Sequence, residues 1–132
     1  MKYMLMMSGT KADFDWFVKW SKQDLQAHIA FMHAFNKELK GAGALVAAEG
    51  LAFPDQAKIV RAGRDGKPIV TDGPFAETKE FLAGYWIVEV ESPEEAYKIA
   101  ARASAAPAPA GTQGSMPIEV RQVMSGPPEE LL

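Results

Sequence analysis

The chain has 132 residues, of which 48% are hydrophobic, and this composition is sufficient for one domain with a substantial core. The net charge is −3 and the basic residues are scattered, so the chain lacks the footprint of a nucleic-acid-binding protein. The absence of cysteine excludes disulfides, zinc-thiolate sites and thiol nucleophiles, and it favours a cytoplasmic location. No apolar run approaches the roughly 20 residues of a membrane span, and the short N-terminal run lacks the features of a signal peptide.

The first third of the chain predicts a strand and a long helix. Residues 3–7 are apolar at odd and at even positions alike, as in a central strand that is covered on both faces. Residues 11–20 mix aromatic residues with charges and lack a clear period, so we expect a loop with about one helical turn, its aromatic side chains over the core or at a subunit contact. Residues 21–40 place apolar residues at helical spacing, with Ser21 as the N-cap and Gly41 as the terminating glycine.

The middle of the chain predicts a short strand and a hairpin. Residues 44–51 contain an apolar run that ends before a Phe-Pro-Asp turn. Residues 57–62 and 67–72 are β-like runs on either side of Asp65-Gly66, a pair typical of tight hairpin turns. The second of these runs leads directly into Asp72.

The next part of the chain predicts a strand and a second helix. Residues 85–91 alternate in polarity and place Trp86, Val88 and Val90 on one buried face. Ser92 then serves as the N-cap of a helix, because a proline follows at the first helical position and a glutamate at the third.

The remainder predicts a loop, a strand and a tail. Residues 105–114 are rich in alanine and proline and cannot continue the helix, so we expect a loop there. Residues 116–124 alternate in polarity as a last strand, and residues 125–132 form a proline-bearing tail. We therefore expect a single domain over residues 1–124 and a C-terminal tail after it.

These elements predict an α+β fold. With the hairpin as an insertion, the remaining order is strand, helix, strand, strand, helix, strand, which is the ferredoxin-like βαββαβ sandwich. Its two helices cover one face of an antiparallel sheet. The other face would carry Tyr85 and Ile87 and expose more apolar surface than a monomer usually tolerates, so we expect a homodimer with sheets packed face to face.

The richest turn chemistry lies between the predicted hairpin and the strand at residues 85–91. In Asp72-Gly73-Pro74-Phe75, the aspartate can accept hydrogen bonds and the glycine is free to take positive φ. The proline has its φ fixed by the ring, and the phenylalanine provides an apolar anchor. We predict that this loop rims a cleft for a small-molecule ligand, which it contacts through Asp72, Gly73, Pro74, Phe75, Glu77, Lys79 and Tyr85. An aspartate before Gly-Pro also commonly fixes a turn, and that structural interpretation stays open.

The two histidines are the candidate acid-base groups. His28 lies between Leu25 and Met32 on the apolar stripe of the predicted helix, where a satisfied core histidine is the alternative, and His33 lies toward the edge of that stripe. Either one would move a proton, with Asp72 orienting or assisting it. Their separation of five positions does not suit a helical metal pair, so we predict no metal site and no cofactor.

Residues 70–80, Val-Thr-Asp-Gly-Pro-Phe-Ala-Glu-Thr-Lys-Glu, resemble the signature of the DGPF group within the YCII-related proteins. Gly84-Tyr85 and Ile118-Glu119-Val120-Arg121 agree with this resemblance. It implies a ferredoxin-like subunit that forms a dimeric α+β barrel. The group is mostly of unknown function and is often encoded beside, or fused to, sigma factors of the extracytoplasmic-function type, which implies a functional link to such a factor.

The resemblance also bears on chemistry. The wider YCII-related family is thought to use a His-Asp pair in a cleft, and some members act as lyases or dehydrochlorinases on small cyclic compounds. The family's histidine lies in the first helix, where this chain has His28 and His33. Its aspartate precedes the proline that ends the second helix, and that position is Ala106, before Pro107. The carboxylate is missing from its usual place, and Asp72 is the candidate substitute.

Functions from different classes stay open at this point. One is a binding or regulatory module whose cleft holds a small ligand or a protein segment. Another is a lyase or isomerase that acts on a small cyclic compound through a His-Asp acid-base pair. A dimeric barrel that handles haem is a distant third.

Overall fold

A computed structural model describes residues 1–109 and 116–131 of the chain. Part of the predicted loop at residues 105–114, and the last residue of the predicted tail, lie outside the described residues. The strands and helices are β1 (Lys2–Gly9), α1 (Lys11–Phe17), α2 (Lys22–Gly41), β2 (Leu45–Gly50), β3 (Ile59–Ala62), β4 (Pro68–Thr71), β5 (Phe81–Glu89), α3 (Pro93–Ser104) and β6 (Ile118–Gln122). Short 3₁₀ turns occur at Pro54–Gln56 and Glu129–Leu131.

Four strands form one antiparallel sheet in the order β2-β5-β1-β6, and β3 pairs with β4 in a separate hairpin. Without this hairpin the elements follow the β-α-β-β-α-β order that the sequence predicts, with α1 as an additional short helix. The hairpin turns as Asp65-Gly66 predicts, because Gly66 takes a φ of 81° and Asp65 accepts the N–H of Lys67 at 3.0 Å. The α+β class and the antiparallel sheet are confirmed.

Helices α2 and α3 cover the same face of the sheet. Trp86 and Val88 of β5, predicted to be buried, are 4% and 0% exposed. The cluster that buries them also contains Tyr3, Leu5, Phe35, Leu39, Val90, Ala96, Ala100 and Ala103. The indole N–H of Trp86 donates to Asn36 Oδ1 at 2.7 Å, so this polar group is satisfied where the core meets α2.

The opposite face of the sheet is uncovered in a single chain. Met4 and Met6 of β1 lie there, directly across from Ile87 and Tyr85 of β5. All of these side chains are half-buried. β1 is therefore central in the sheet, as predicted, but the helices of its own chain cover only one of its two faces.

The aromatic segment after β1 is a helix, α1, and the predicted loop with one helical turn is wrong. Thr10 caps this helix: its Oγ1 accepts the N–H of Asp13 at 3.4 Å, and Asp13 Oδ2 accepts the N–H of Thr10 at 2.8 Å. A Cβ on Gly9 would lie 3.1 Å from Asp13 Cβ, so a glycine at this position lets α1 begin close against the sheet. The apolar residues of this segment do not recur at helical spacing, because α1 contains no buried residue and so has no side that faces the core.

Several element ends differ from the predicted ones, and the end of α2 and the start of β5 are two of them. Ser21 caps α2, as predicted, but the helix runs through Gly41 and the glycine that takes positive φ is Gly43. β5 begins at Phe81 and not at Tyr85, because the pairing with β1 continues to the end of that strand. Residues 81–84, which precede the predicted strand, therefore belong to the sheet.

Candidate functional site

A cavity of about 350 Å³ opens at the end of the sheet where β1 leads into α1. Its walls come from the end of β1, from α1 and the segment that follows it, from α2 at His28, from the segment after β2, and from the residues just before β6. The pairing of β1 with β5 shifts beside the cavity, between Met7 and Ser8, and Ala83, the residue that this shift passes over, lines the cavity. Irregularities of this kind are common beside functional sites.

Five aromatic side chains line the cavity, and we call them the aromatic wall: Phe14, Trp16, Phe17, Trp20 and Phe53. The ring centroid of Phe17 lies 4.8 Å from that of Trp20 and 6.4 Å from that of Phe53. Phe53 contacts Phe14 at 5.9 Å, and Trp20 contacts Trp16 at 5.0 Å. Three of these four contacts are edge-to-face, with interplanar angles of 71–80°, and the Phe17–Trp20 contact is tilted at 55°. Edge-to-face contacts between rings are favourable in themselves, so they help to hold the wall together.

His28 is the histidine that reaches the cavity. Its Nδ1 lies 3.1 Å from the carbonyl oxygen of Pro107. A carbonyl can only accept, so Nδ1 carries the proton of this hydrogen bond, and in the neutral ring Nε2 is then an acceptor. The imidazole also makes edge-to-face contacts with Phe17 at 5.7 Å and Trp20 at 5.5 Å. His28 is thus oriented by the backbone and by the aromatic wall.

The hydrogen bond of His28 falls next to the position where the family resemblance expects a carboxylate. That position is Ala106, which is 7% exposed and has no acidic group, and the neighbouring Pro107 supplies a backbone acceptor instead. Within the described ranges, His28 makes no ion pair with a carboxylate. His33 is exposed and lines neither the cavity nor the smaller pocket beside it.

Asp13 is an acidic residue of the cavity that the sequence did not predict as functional. Its Oδ2 accepts from the backbone N–H of Thr10 at 2.8 Å and from the hydroxyl of Thr10 at 3.0 Å, so the carboxylate is fixed by the helix cap. Neither lysine nor arginine lines the described cavity. The spacing of Thr10 and Asp13 is the signal that could have identified both the helix and this residue.

Asp72 lies away from this cavity, at the end of β4. Its side chain is 85% exposed, and its Oδ1 accepts from Lys58 Nζ at 2.5 Å. Gly73 follows with φ 122°, and the Gly73-Pro74 bond is cis. A Cβ on Gly73 would lie 2.9 Å from the ring of Phe75, so both the φ and the space demand glycine. Among the described residues the Asp72 carboxylate accepts from the Lys58 side chain and from no backbone N–H, so the turn takes its form from Gly73 and Pro74 and not from a side-chain hydrogen bond of Asp72.

The rest of the predicted ligand loop folds on itself. The rings of Phe75 and Phe81 meet at 5.1 Å, and Lys79 Nζ lies 5.2 Å from the Phe81 ring and 6.0 Å from the Phe75 ring. Glu77 is exposed. Tyr85 is separate from this loop, because it points to the uncovered face of the sheet, across from Met6. The structure brings Gly73, Phe75 and Lys79 together, but no residue from Asp72 to Lys79 lines the described cavity.

The described residues contain no group of three or more side chains suited to holding a metal ion. Among them there is also no helix with the length and hydropathy that a membrane crossing requires.

The fold and the cavity define an α+β protein with an aromatic pocket at the end of an antiparallel sheet. The chain belongs to the YCII-related family, whose domain model matches residues 1–123. It is 35% identical over 81 residues to an uncharacterised protein of Rhizobium meliloti (strain 1021). That similarity covers 61% of this chain and 64% of the relative's length, and the relative's name assigns no activity.

Proposed function

We propose that this protein binds a small, largely apolar ring compound in the cavity between β1, α1 and α2. The observation that carries the proposal is the aromatic wall around a cavity of about 350 Å³, with His28 held at its edge. Pockets for small molecules usually have volumes of about 300–1,000 Å³, apolar walls and a few placed polar groups. The size and chemistry of the cavity suit a ligand with one or two rings.

The polar groups of the cavity support binding of a specific ligand over simple hydrophobic uptake. His28 Nε2 is an acceptor because Nδ1 is already engaged by Pro107. Asp13 offers a second acceptor at the start of α1. A ligand that buries a ring against the aromatic wall and donates to these groups would be held in one orientation.

The test is a calorimetric titration with 2-phenylethanol, a neutral one-ring compound. Phe53→Ala removes a ring of the aromatic wall that is 40% exposed, so the variant can fold, and we expect binding about fivefold weaker because a lost aromatic contact is worth about 1 kcal/mol. The matched control is Phe75→Ala, which removes a ring outside the cavity. If the unaltered chain shows saturable binding neither of this compound nor of its charged analogues 2-phenylethylamine and 3-phenylpropanoate, the proposal is refuted.

The sequence also predicts that the loop from Asp72 to Lys79 contacts the ligand, and the same experiment tests that prediction. Weaker binding in Phe75→Ala than in Phe53→Ala would move the site to that loop. A regulatory use of ligand binding, linked to a sigma factor of the extracytoplasmic-function type, is what the family resemblance implies. It predicts that such a factor binds the protein differently with and without the ligand.

We also propose that the protein is a homodimer of the dimeric α+β barrel type. The uncovered sheet face carries Met4, Met6, Tyr85 and Ile87, and burial of these side chains against a second copy would stabilise both subunits. The hairpin supports the same conclusion, because Val60, Ile69 and Val70 are 55–60% exposed in a single chain.

One observation favours an enzyme as a second candidate function: the imidazole of His28 lies in an open cavity with one tautomer fixed. This is the arrangement that a general base needs, and a lyase or isomerase of the predicted type would use it. In D₂O, such a base would speed deuterium incorporation beside the carbonyl of cyclohexanone. His28→Gln should remove the effect and His33→Gln, on the same helix, should keep it. Equal rates in both variants would exclude this candidate.

A further inference from the structure

The cavity has an uneven charge. Asp13 is the one Asp or Glu that lines the described part of it, and no lysine or arginine lines that part. The carboxylate is fixed through Oδ2 by two hydrogen bonds from Thr10, of 2.8 Å and 3.0 Å. Oδ1 accepts no hydrogen bond from the residues that the structure describes, so it is available to a ligand.

Asp13 and His28 present acceptors to the cavity, and the donors among its accessible side chains, the hydroxyl of Ser8 and the indole N–H of Trp16, are uncharged. His28 has used its Nδ1 proton on Pro107, which leaves Nε2 as an acceptor. Trp20 Nε1 has no partner among the described residues, but this atom is fully enclosed and presents no surface to the cavity. A ligand that donates hydrogen bonds therefore matches Asp13 and His28, whereas a carboxylate or phosphate would find only the neutral donors of Ser8 and Trp16 and no lysine or arginine in the described lining.

The aromatic wall favours the same kind of ligand. The faces of phenyl and indole rings carry partial negative charge and attract cations within about 6 Å of the ring centre. Five such rings line the cavity together with a carboxylate, a combination that resembles the cages that recognise organic ammonium groups. An anion would meet both the rings and the carboxylate unfavourably.

We infer that the ligand is an organic cation, an amine or quaternary ammonium group carried on a ring. This inference rests on the proposed function, because it names the ligand class of the same cavity. The ring packs against the aromatic wall, the ammonium group pairs with Asp13, and an N–H of a primary or secondary amine donates to His28 Nε2.

Three probes of similar size but different charge test the inference by calorimetry: 2-phenylethylamine, 2-phenylethanol and 3-phenylpropanoate. We expect the amine to bind at least about tenfold more tightly than the carboxylate, with the alcohol between them. The reason is that the Asp13 carboxylate attracts the ammonium group of the amine and repels the carboxylate probe. If the carboxylate binds as tightly as the amine, the inference is wrong while the proposed binding function stands. If none of the probes binds, the proposed function itself is wrong.

A matched pair of variants separates the cavity from the overall field of the protein, whose net charge of −3 attracts any cation. Asp13→Asn and Asp15→Asn each remove one negative charge from an exposed position of α1, but only Asp13 lines the cavity. Asparagine keeps an oxygen for the N–H of Thr10, so the cap can persist.

We expect Asp13→Asn to lose most of the preference for the amine over the alcohol, and Asp15→Asn to keep it. An equal loss in both variants would assign the preference to general charge and overturn the inference. If Asp13→Asn fails to fold, the comparison of the three probes on the unaltered chain decides the question.

Discussion

Gly9 is the residue on which the approach of α1 to the sheet depends. In Gly9→Ala the new Cβ would lie 3.1 Å from Asp13 Cβ and 3.4 Å from the ring of Phe14, so α1 has to shift. We expect a loss of about 1 kcal/mol in the free energy of unfolding and weaker binding of 2-phenylethanol, since the shift moves two residues of the cavity. Urea denaturation and calorimetry measure the two effects.

Gly41→Ala is the control for this prediction. Gly41 is the last residue of α2, and a Cβ there would meet no atom within 4 Å. Alanine should therefore stabilise the helix by up to about 1 kcal/mol and leave ligand binding unchanged. If both variants had the same free energy of unfolding, the close contact between Gly9 and α1 would not contribute to the stability of the fold, and the prediction would be wrong.

Glu89, the last residue of β5, makes the stability of this end of the strand depend on pH. The amino group of Met1 lies 2.8 Å from Glu89 Oε2, and this hydrogen bond is the main cause that holds the pKa of Glu89 below its ordinary value of 4.5. Because the folded-state pKa is the lower one, the stabilising contribution is present above pH 4.5 and is lost as the pH falls through the lowered value.

Glu89→Gln should therefore flatten the decline of the urea midpoint between about pH 6 and about pH 3. The control is Glu91→Gln, an exposed residue whose side chain makes no ion pair in the described ranges. The effect should be small, since both partners of the Glu89 pair are solvent-exposed. Identical pH profiles for the two variants would contradict the prediction.

At the scale of elements, Arg102 connects α3 to α2. Its guanidinium donates to Glu38 Oε2 and lies 5.1 Å from the ring centroid of Phe35. An exposed ion pair contributes about 0–1 kcal/mol, and a cation above a ring adds about 0.5–1 kcal/mol. We expect Arg102→Ala to lower the free energy of unfolding by about 1 kcal/mol, measured by urea denaturation.

Glu38→Gln removes only the ion pair of this contact, so it should cost less than Arg102→Ala. Arg102→Lys should fall between them, because lysine keeps the charge but loses the planar group that lies against the ring. If Glu38→Gln were as destabilising as Arg102→Ala, the contact with Phe35 would contribute nothing.

The elements that pack into the core could be predicted from the sequence, whereas α1, which lines the cavity and buries no residue, could not. Trp86 and Val88 alternate along β5 because one face of the sheet is buried, and that period is visible in the sequence. Phe14 and Phe17 of α1 face a cavity and not the core, so their spacing carries no such period. The Thr10 cap was the remaining signal for this helix.

At the scale of the whole molecule, the uncovered sheet face predicts self-association. Ile87→Glu would place a charge in that face, so we expect the dimer to dissociate, as measured by light scattering after gel filtration. Tyr97→Glu is the control, because Tyr97 is 55% exposed on α3, which covers the opposite face. A monomeric unaltered chain would contradict the proposed dimer directly.

The candidate site is also a property of the whole molecule, which limits what the sequence could predict of it. The loop from Asp72 to Phe75 is conspicuous because turn chemistry is local and needs only neighbouring residues. The cavity joins α1, His28 and the segment after β2, which are distant in the sequence and become neighbours only through the sheet. His28 was predicted as a candidate, but its partner at Pro107 is a backbone atom and leaves no trace in residue type.

Because the acceptor of the His28 hydrogen bond is the backbone carbonyl of Pro107, the orientation of His28 does not depend on the side chain at residue 107. A carboxylate in this role can be removed by a single substitution and loses its accepting charge in acid, whereas the carbonyl of Pro107 is present with any residue at that position and does not titrate. The acceptor can be lost only by moving the chain that follows α3. The cavity should therefore tolerate substitution at residue 107 yet respond to any insertion or deletion between Ser104 and Pro107.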